Sequence, residues 1–356
     1  MLIALLVVVG LSLLILGHEA GHFFAAKMFG LKIDEFGFGF PPRIAAWRRG
    51  ETEYSLNWLP FGGFVRIAGE RGEFEMVNPD SADGGGAGRE AAGAAGSRLL
   101  SAQPAWKKSA IMLAGVFMNF LLGWLLLSLT LMSGAPRALV IASVAPHSPA
   151  AAAGLVPGDV IRGYAAPQDF ISYVDAHRGT QISITIDRGG KTAETAVVPR
   201  VHPPAGQGAI GIGLAEAGTA REGFFAALRG GFIDACAISW ITIIAFGHLI
   251  AQLFSRGTLP AGVVGPVGIF GVAEETGRIG LVYLLQLIGV ISLNLMVVNL
   301  IPFPALDGGR FVMAIIEKIK GSAIPYKVEA WINGAGFALL LALMALLTIR
   351  DVRGLL

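Results

Sequence analysis

Between Met1 and Ala26 only three side chains can ionise, His18, Glu19 and His22; the rest are apolar or small, with Ser12 the one hydroxyl. At 1.5 Å per residue a helix of that length crosses a ~30 Å hydrocarbon core. An ionised group in mid-bilayer costs about 2.5–3.5 kcal/mol on insertion scales, so the three are functional candidates by default. The 356 residues are 54% hydrophobic and 15% charged, on the membrane side of the usual balance. A net charge of +2 points to no nucleic-acid partner. Cys236, the single cysteine, excludes an intrachain disulfide framework and a multi-cysteine zinc cluster.

Further apolar runs lie at about 109–133, 281–301 and 331–349. A fifth, about 231–254, carries Asp234, His248 and Gln252 and is equivocal. Lys and Arg gather between the first two runs and between the last two, and short basic loops stay cytoplasmic. The expected topology is N-terminus out, 27–108 in, 134–280 out, 302–330 in and C-terminus out. Residues 1–16 lack a basic n-region, so no cleavable signal is expected.

Three stretches organise the remainder. Residues 32–70 alternate polar and apolar positions and break at Gly50 and Gly62-Gly63, which predicts β-hairpins. They are apolar enough to dip into the bilayer from the inner side, where sheet backbone is tolerated only inside protein or along a wet cavity. Residues 80–98 are rich in Gly and Ala and read as a flexible linker. Residues 137–200 form a soluble island. In "SPAAAAGLVPGDVI" a short helix turns at Gly154 and a strand follows Gly158-Asp159. Strands at about 182–187 and 193–198 are joined by "DRGGK", and such an αβ module suits peptide binding.

His18 and His22, four apart, project from one helix face, where two imidazoles can share a Zn²⁺ with Glu19 beside them to take a proton from water. A catalytic zinc needs a third protein ligand and an open position. No downstream histidine has the spacing of soluble zincins. The stronger candidate is "NLIPFPALDGGR" at 299–310, where Pro302 and Pro304 end a helix and Asp307 precedes two glycines. The bland alternative is that Asp307 caps the next helix. Asp307 emerges on the side of the histidines only if 231–254 is not a full span. That run is therefore expected to be an amphipathic or interfacial helix on the outer side, leaving His248 too far out to be a ligand.

"GHEAGHFFAAKMFGLKIDEFGFGF", "RRGETEYSLNWLPFGGFVRIAGE", "GPVGIF" at 265–270 and "NLIPFPALDGGR" together resemble the bacterial site-2 proteases, most closely the regulator-of-sigma-E type. The resemblance implies a polytopic α-helical membrane protein. It would have four transmembrane helices, a membrane-associated β-hairpin region and one extracytoplasmic PDZ-like αβ domain. The expected divisions are 1–31 with HExxH, 32–70 the β-region, 71–105 a cytoplasmic linker and 106–134 the second span. They continue with 135–216 PDZ-like, 217–280 an interfacial helix and loop, 281–310 the third span, and 311–356 a cytoplasmic connection and the fourth. By the same likeness His18, His22 and Asp307 would hold one Zn²⁺, Glu19 would be catalytic, and Asn299 would lie near the substrate. The β-region around Gly37, Gly39, Gly62 and Gly63 would receive an extended substrate strand.

The implied activity is intramembrane endopeptidase cleavage in the bacterial inner membrane. Substrates would be single-span proteins already cut on the outer side, such as an anti-sigma factor, or signal-peptide remnants. Two departures stand out: room for one PDZ domain where well-known members have two, and Val116 in "AGVFMNF" where proline is frequent. The readings from other classes are a PDZ adaptor with structural zinc and a membrane-anchored metallohydrolase acting on soluble or lipid substrates.

Overall fold

The computed structural model describes residues 2–70, 98–134, 138–164, 166–188, 191–204, 206–218, 220–256, 265–322 and 324–355. Almost all of the expected linker, and the glycines of the "DRGGK" turn, lie outside the described residues. The chain forms two compact units. One comprises Met1–Leu125, Ile233–Phe270 and Ile288–Leu356; the other comprises Leu126–Phe232 and Gly271–Leu287.

In the first unit α1 (Leu2–Met28) and α2 (Ala105–Ser133, through Leu125) approach at small residues. A Cβ on Gly21 would collide with the Ala114 carbonyl, so only glycine permits the contact. Gly10 lies against Ile288 of α7 (Leu281–Leu300), and Gly123 of α2 against Leu293. These helices form the floor on which the ionisable face of α1 rests.

β1 (Ile33–Arg49) and β2 (Thr52–Ile67) turn at Gly50, as the alternation predicts. Their pairing is double. Phe36 faces both Tyr54 and Val65, and Gly37 both Ser55 and Phe64, while Arg43 to Arg49 pair with 52–57. The hairpin therefore folds over into four segments in the order 43–49, 52–57, 33–38, 63–67. Bends fall where the backbone takes positive φ, at Gly39 and Gly62. Gly63–Ile67 is left as an edge beside α1. Glu51 at the turn accepts hydrogen bonds from Arg98 (2.6 Å) and Lys27 (3.1 Å). These hold its carboxyl at about 2, below an ordinary 4.5. The tether's contribution is complete above pH ~4.5 and is lost as pH falls through the lower value.

Five described helices are long and apolar enough to cross a membrane, where the sequence reading counts four. The addition is α5 (Phe224–Arg256), a single 33-residue helix. It does not lie apart from the bundle as an interfacial helix would. Thr242 Oγ1 donates to Asn294 Oδ1 (2.8 Å), and Phe246 packs with Val116, Met296 and Val297, so α5 runs alongside α7 in the same direction. The physical reason lies in Thr242 and Phe246, which give the helix one polar and one apolar contact with its neighbours. Beyond it, the N–H groups of Gly265 (3.2 Å) and Gly268 (2.8 Å) bond the Asp351 carboxylate at the start of α6 (Pro266–Ile279). Asp351 stands near the far end of α9 (Tyr326–Leu355), whose residue 336 packs on Pro304, ~22 Å back along the helix.

The second unit holds a five-stranded antiparallel sheet in the order β6-β5-β4-β3-β7. Its strands are β3 (Ala138–Val144), β4 (Val160–Ile161), β5 (Ile182–Arg188), β6 (Lys191–Val197) and β7 (Ile212–Ala217). The short α3 (Pro149–Ala152), capped by Ser148 Oγ, and α4 (Pro167–Ala176) complete it. Leu139, Ile141, Ile161, Phe170, Ile184 and Ile186 share one core. Asp159 is fully buried and is held by Arg188 (2.6 and 2.7 Å) and the Val156 N–H (3.0 Å). Arg188→Ala strands one carboxylate oxygen, and we expect a loss of about 1–3 kcal/mol in this unit. Thermal unfolding and limited proteolysis of the full chain measure it.

Candidate metal centre

His18 and His22 sit one turn apart on α1, both buried. Asp307 opens α8 (Asp307–Lys320), but its side chain does not cap that helix; it turns to the histidines. His18 Nε2 lies 2.9 Å and His22 Nε2 3.3 Å from Asp307 Oδ2, and the two Nε2 atoms are 3.2 Å apart. Ligands on a tetrahedral ion with bonds of 2.0–2.1 Å are separated by roughly 3.3 Å. The donor set therefore has the spacing of ligands about one small cation. Asp307 Oδ2 is buried and accepts no hydrogen bond despite these approaches, as expected of an oxygen reserved for a metal. Among the described residues these three form the one such cluster, and exposed His248 is outside it.

Local sequence explains the convergence. Asp307 reaches inward because α8 begins against the extended segment before it. A Cβ on Gly308 would strike the Leu300 and Ile301 carbonyls, and one on Gly309 the Phe303 carbonyl. Ala305, at positive φ, donates its N–H to Asn333 Oδ1 of α9 (3.1 Å), which fixes the loop. Opposite the imidazoles, a Cβ on Gly115 would overlap His22 Nε2.

The far nitrogens are held as well. His22 Nδ1 donates to the Ile111 carbonyl (2.8 Å), which directs the lone pair of Nε2 to the centre. The Asn119 side-chain amide lies 3.1 Å from His18 Nδ1, and Asn119 is itself almost fully buried. The structure turns the amide nitrogen to the ring, whereas a His18 with a free Nε2 carries hydrogen on Nδ1 and would take the amide oxygen there, which a flip of the same side chain supplies. Asn119 and Ile111 have no part in the expected site. A buried amide in an apolar span was the available signal for Asn119, whereas a carbonyl leaves none.

Glu19, half-buried, accepts the Val65 N–H at Oε2 (3.1 Å) from the β2 edge, and the Cβ position of Gly63 is 3.5 Å from Glu19 Cγ. Gly62 packs on the Phe40 ring. Gly37 and Gly39 differ from expectation. Gly37 is paired on both sides, and Gly39 faces the Leu59 and Asn57 carbonyls, so both are interior rather than at the edge. Asn299 lies on the last turn of α7, partly buried.

The sequence profile of peptidase family M50 matches residues 6–343. The chain belongs to peptidase family M50. A Clostridium perfringens protein named as a zinc metalloprotease is 32% identical over 346 residues, covering 96% of each chain. The metalloprotease MmpA of Caulobacter vibrioides is 30% identical over 384 residues, 99% of this chain and 95% of the relative. The regulator of sigma-W protease RasP of Bacillus subtilis is 28% identical over 408 residues, 96% of each. This M50 member is a zinc metalloprotease of the site-2 kind, a multi-pass membrane protein. Its donor set, two imidazoles and a carboxylate, suits zinc. Gly115→Ala is expected to lower zinc retention on the order of tenfold by displacing an imidazole; metal analysis of the purified protein checks it.

Proposed function

We propose that His18 Nε2, His22 Nε2 and Asp307 Oδ2 hold the single zinc ion, and that Glu19 is the general base and then the general acid of peptide hydrolysis. The observation that carries this is the spacing of the three donor atoms with Glu19 beside them on the same helix. Zinc in such a site supplies Lewis acidity and brings water to nucleophilic strength near pH 7. Glu19 accepts the proton of the attacking water and delivers it to the leaving amide nitrogen.

The substrate span must leave its helical form, because intrahelical hydrogen bonds shield its carbonyls. The extended product pairs with the edge at 63–67, whose Val65 N–H already points to Glu19. Gly62 and Gly63 leave the start of that edge without side chains, and Asn299 offers an amide to the substrate or the reacting carbonyl oxygen.

The substrates are transmembrane segments of single-span proteins already trimmed on the outer side, anti-sigma-like, or signal-peptide remnants. The name of the Bacillus relative, a regulator of sigma-W protease, supports this class. In this reading the protein lies in the inner membrane, crossed by α1, α2, α7 and α9, with both termini outside and the centre toward the cytoplasm. Residues 138–217 act as one PDZ-like domain that admits trimmed substrates, a role supported by their antiparallel sheet and two helices.

Glu19→Gln retains zinc and is expected to lose at least ~100-fold in cleavage of a single-span reporter in detergent. Full activity of that variant with zinc bound would overturn the mechanism. Chelation of the wild type should abolish cleavage, and added Zn²⁺ should restore it, read in the same assay.

A further inference from the structure

Glu70 and Arg310 are 240 residues apart in sequence and join two elements of the centre. Arg310 follows Asp307 by one turn on α8, so the two side chains leave neighbouring faces of that helix. Glu70 closes the edge segment of β2. Its Oε2 accepts the Ile67 N–H (3.4 Å) and its Oε1 accepts from Arg310 Nη1. Two residues before Ile67, the same edge donates the Val65 N–H to Glu19. One short run of backbone is thus fastened to Glu19 at one point and to the helix carrying Asp307 at another.

The pair is four-fifths buried, with side chains 19% and 21% exposed. It stands in the wall of a cavity of about 250 Å³ also lined by Lys108, Glu317 and Glu329. There a second pair, Lys108–Glu317 (2.9 Å), fastens α2 to α8. Removing two charges from water offsets most of what their attraction returns, so a pair this buried adds little net stability. What it does fix is geometry, since the two side chains meet only while the β2 edge and α8 keep their spacing.

We propose that Glu70 and Arg310 are positioning residues, and that their ion pair sets the spacing between the substrate-receiving edge of β2 and Asp307. This rests on the roles proposed above for Asp307 and Glu19. Neither residue touches the reacting atoms; each acts through the element it anchors.

The test uses full-length protein in detergent as wild type, Glu70→Gln, Arg310→Gln, the exchange Glu70→Arg with Arg310→Glu, and Asp307→Asn. Zinc retention against a chelator, kcat and KM on a single-span reporter, and thermal unfolding are read for each. Each neutral variant is expected to unfold at a lower temperature, because one buried charge is stranded, and to lose on the order of tenfold in zinc retention and in kcat of the folded fraction. The exchange should recover most of both losses, because the ion pair is restored with its ends swapped. The proposal is overturned if the neutral variants keep wild-type kcat and zinc. A lowered unfolding temperature with normal kcat in the folded fraction also overturns it, since that marks a merely structural pair. Loss of zinc in Asp307→Asn with normal Glu70→Gln refutes only this proposal. Retention of zinc and activity in Asp307→Asn refutes the ligand assignment beneath it.

Discussion

A polar group carried into hydrocarbon must be satisfied by the protein itself, because no water is there to do it. Nearly every feature around His18, Glu19 and His22 answers that demand. Each imidazole has its far nitrogen occupied, by the Ile111 carbonyl or the Asn119 amide, and its near nitrogen turned to Asp307. Glu19 takes a backbone N–H from a strand that would itself be unsatisfied without it. The glycines at 21, 115, 308 and 309 serve the same end by steric means. They let helix and loop backbones come close enough for short side chains to meet.

The centre was legible in the sequence because charge in an apolar run is conspicuous. His18, Glu19, His22 and Asp307 stand out against their surroundings, and helical spacing then orders the first three. Other parts were opaque for definite reasons. The turn at Gly50 could be read, but the second pairing of 33–38 could not. Alternation reports which residues face a core, not how many neighbours a strand has. Gly37 and Gly39 therefore looked like a free edge when they are interior. Glu70 and Arg310 belong to stretches whose charges resemble any solvated loop, and only proximity across 240 residues reveals them. The five-stranded sheet with α3 and α4 was partly readable, because Gly154 and Gly158-Asp159 punctuate it where the backbone turns.

The helix α5 shows how composition and path differ. Hydropathy weighs residues in a window, and by that measure 224–252, at 1.8 against 2.1–2.3 for the other candidate spans, is still apolar enough to cross. The parity of crossings depends instead on where the chain goes next. The reasoning that a fifth span would carry Asp307 away from the histidines holds only if the chain stays on the far side after α5.

The hydrogen bonds from Gly265 and Gly268 to Asp351 bear directly on that parity. They moor the start of α6 to the last turns of α9. Whatever path the chain takes through α5, the point at which α6 begins is set by the far end of α9.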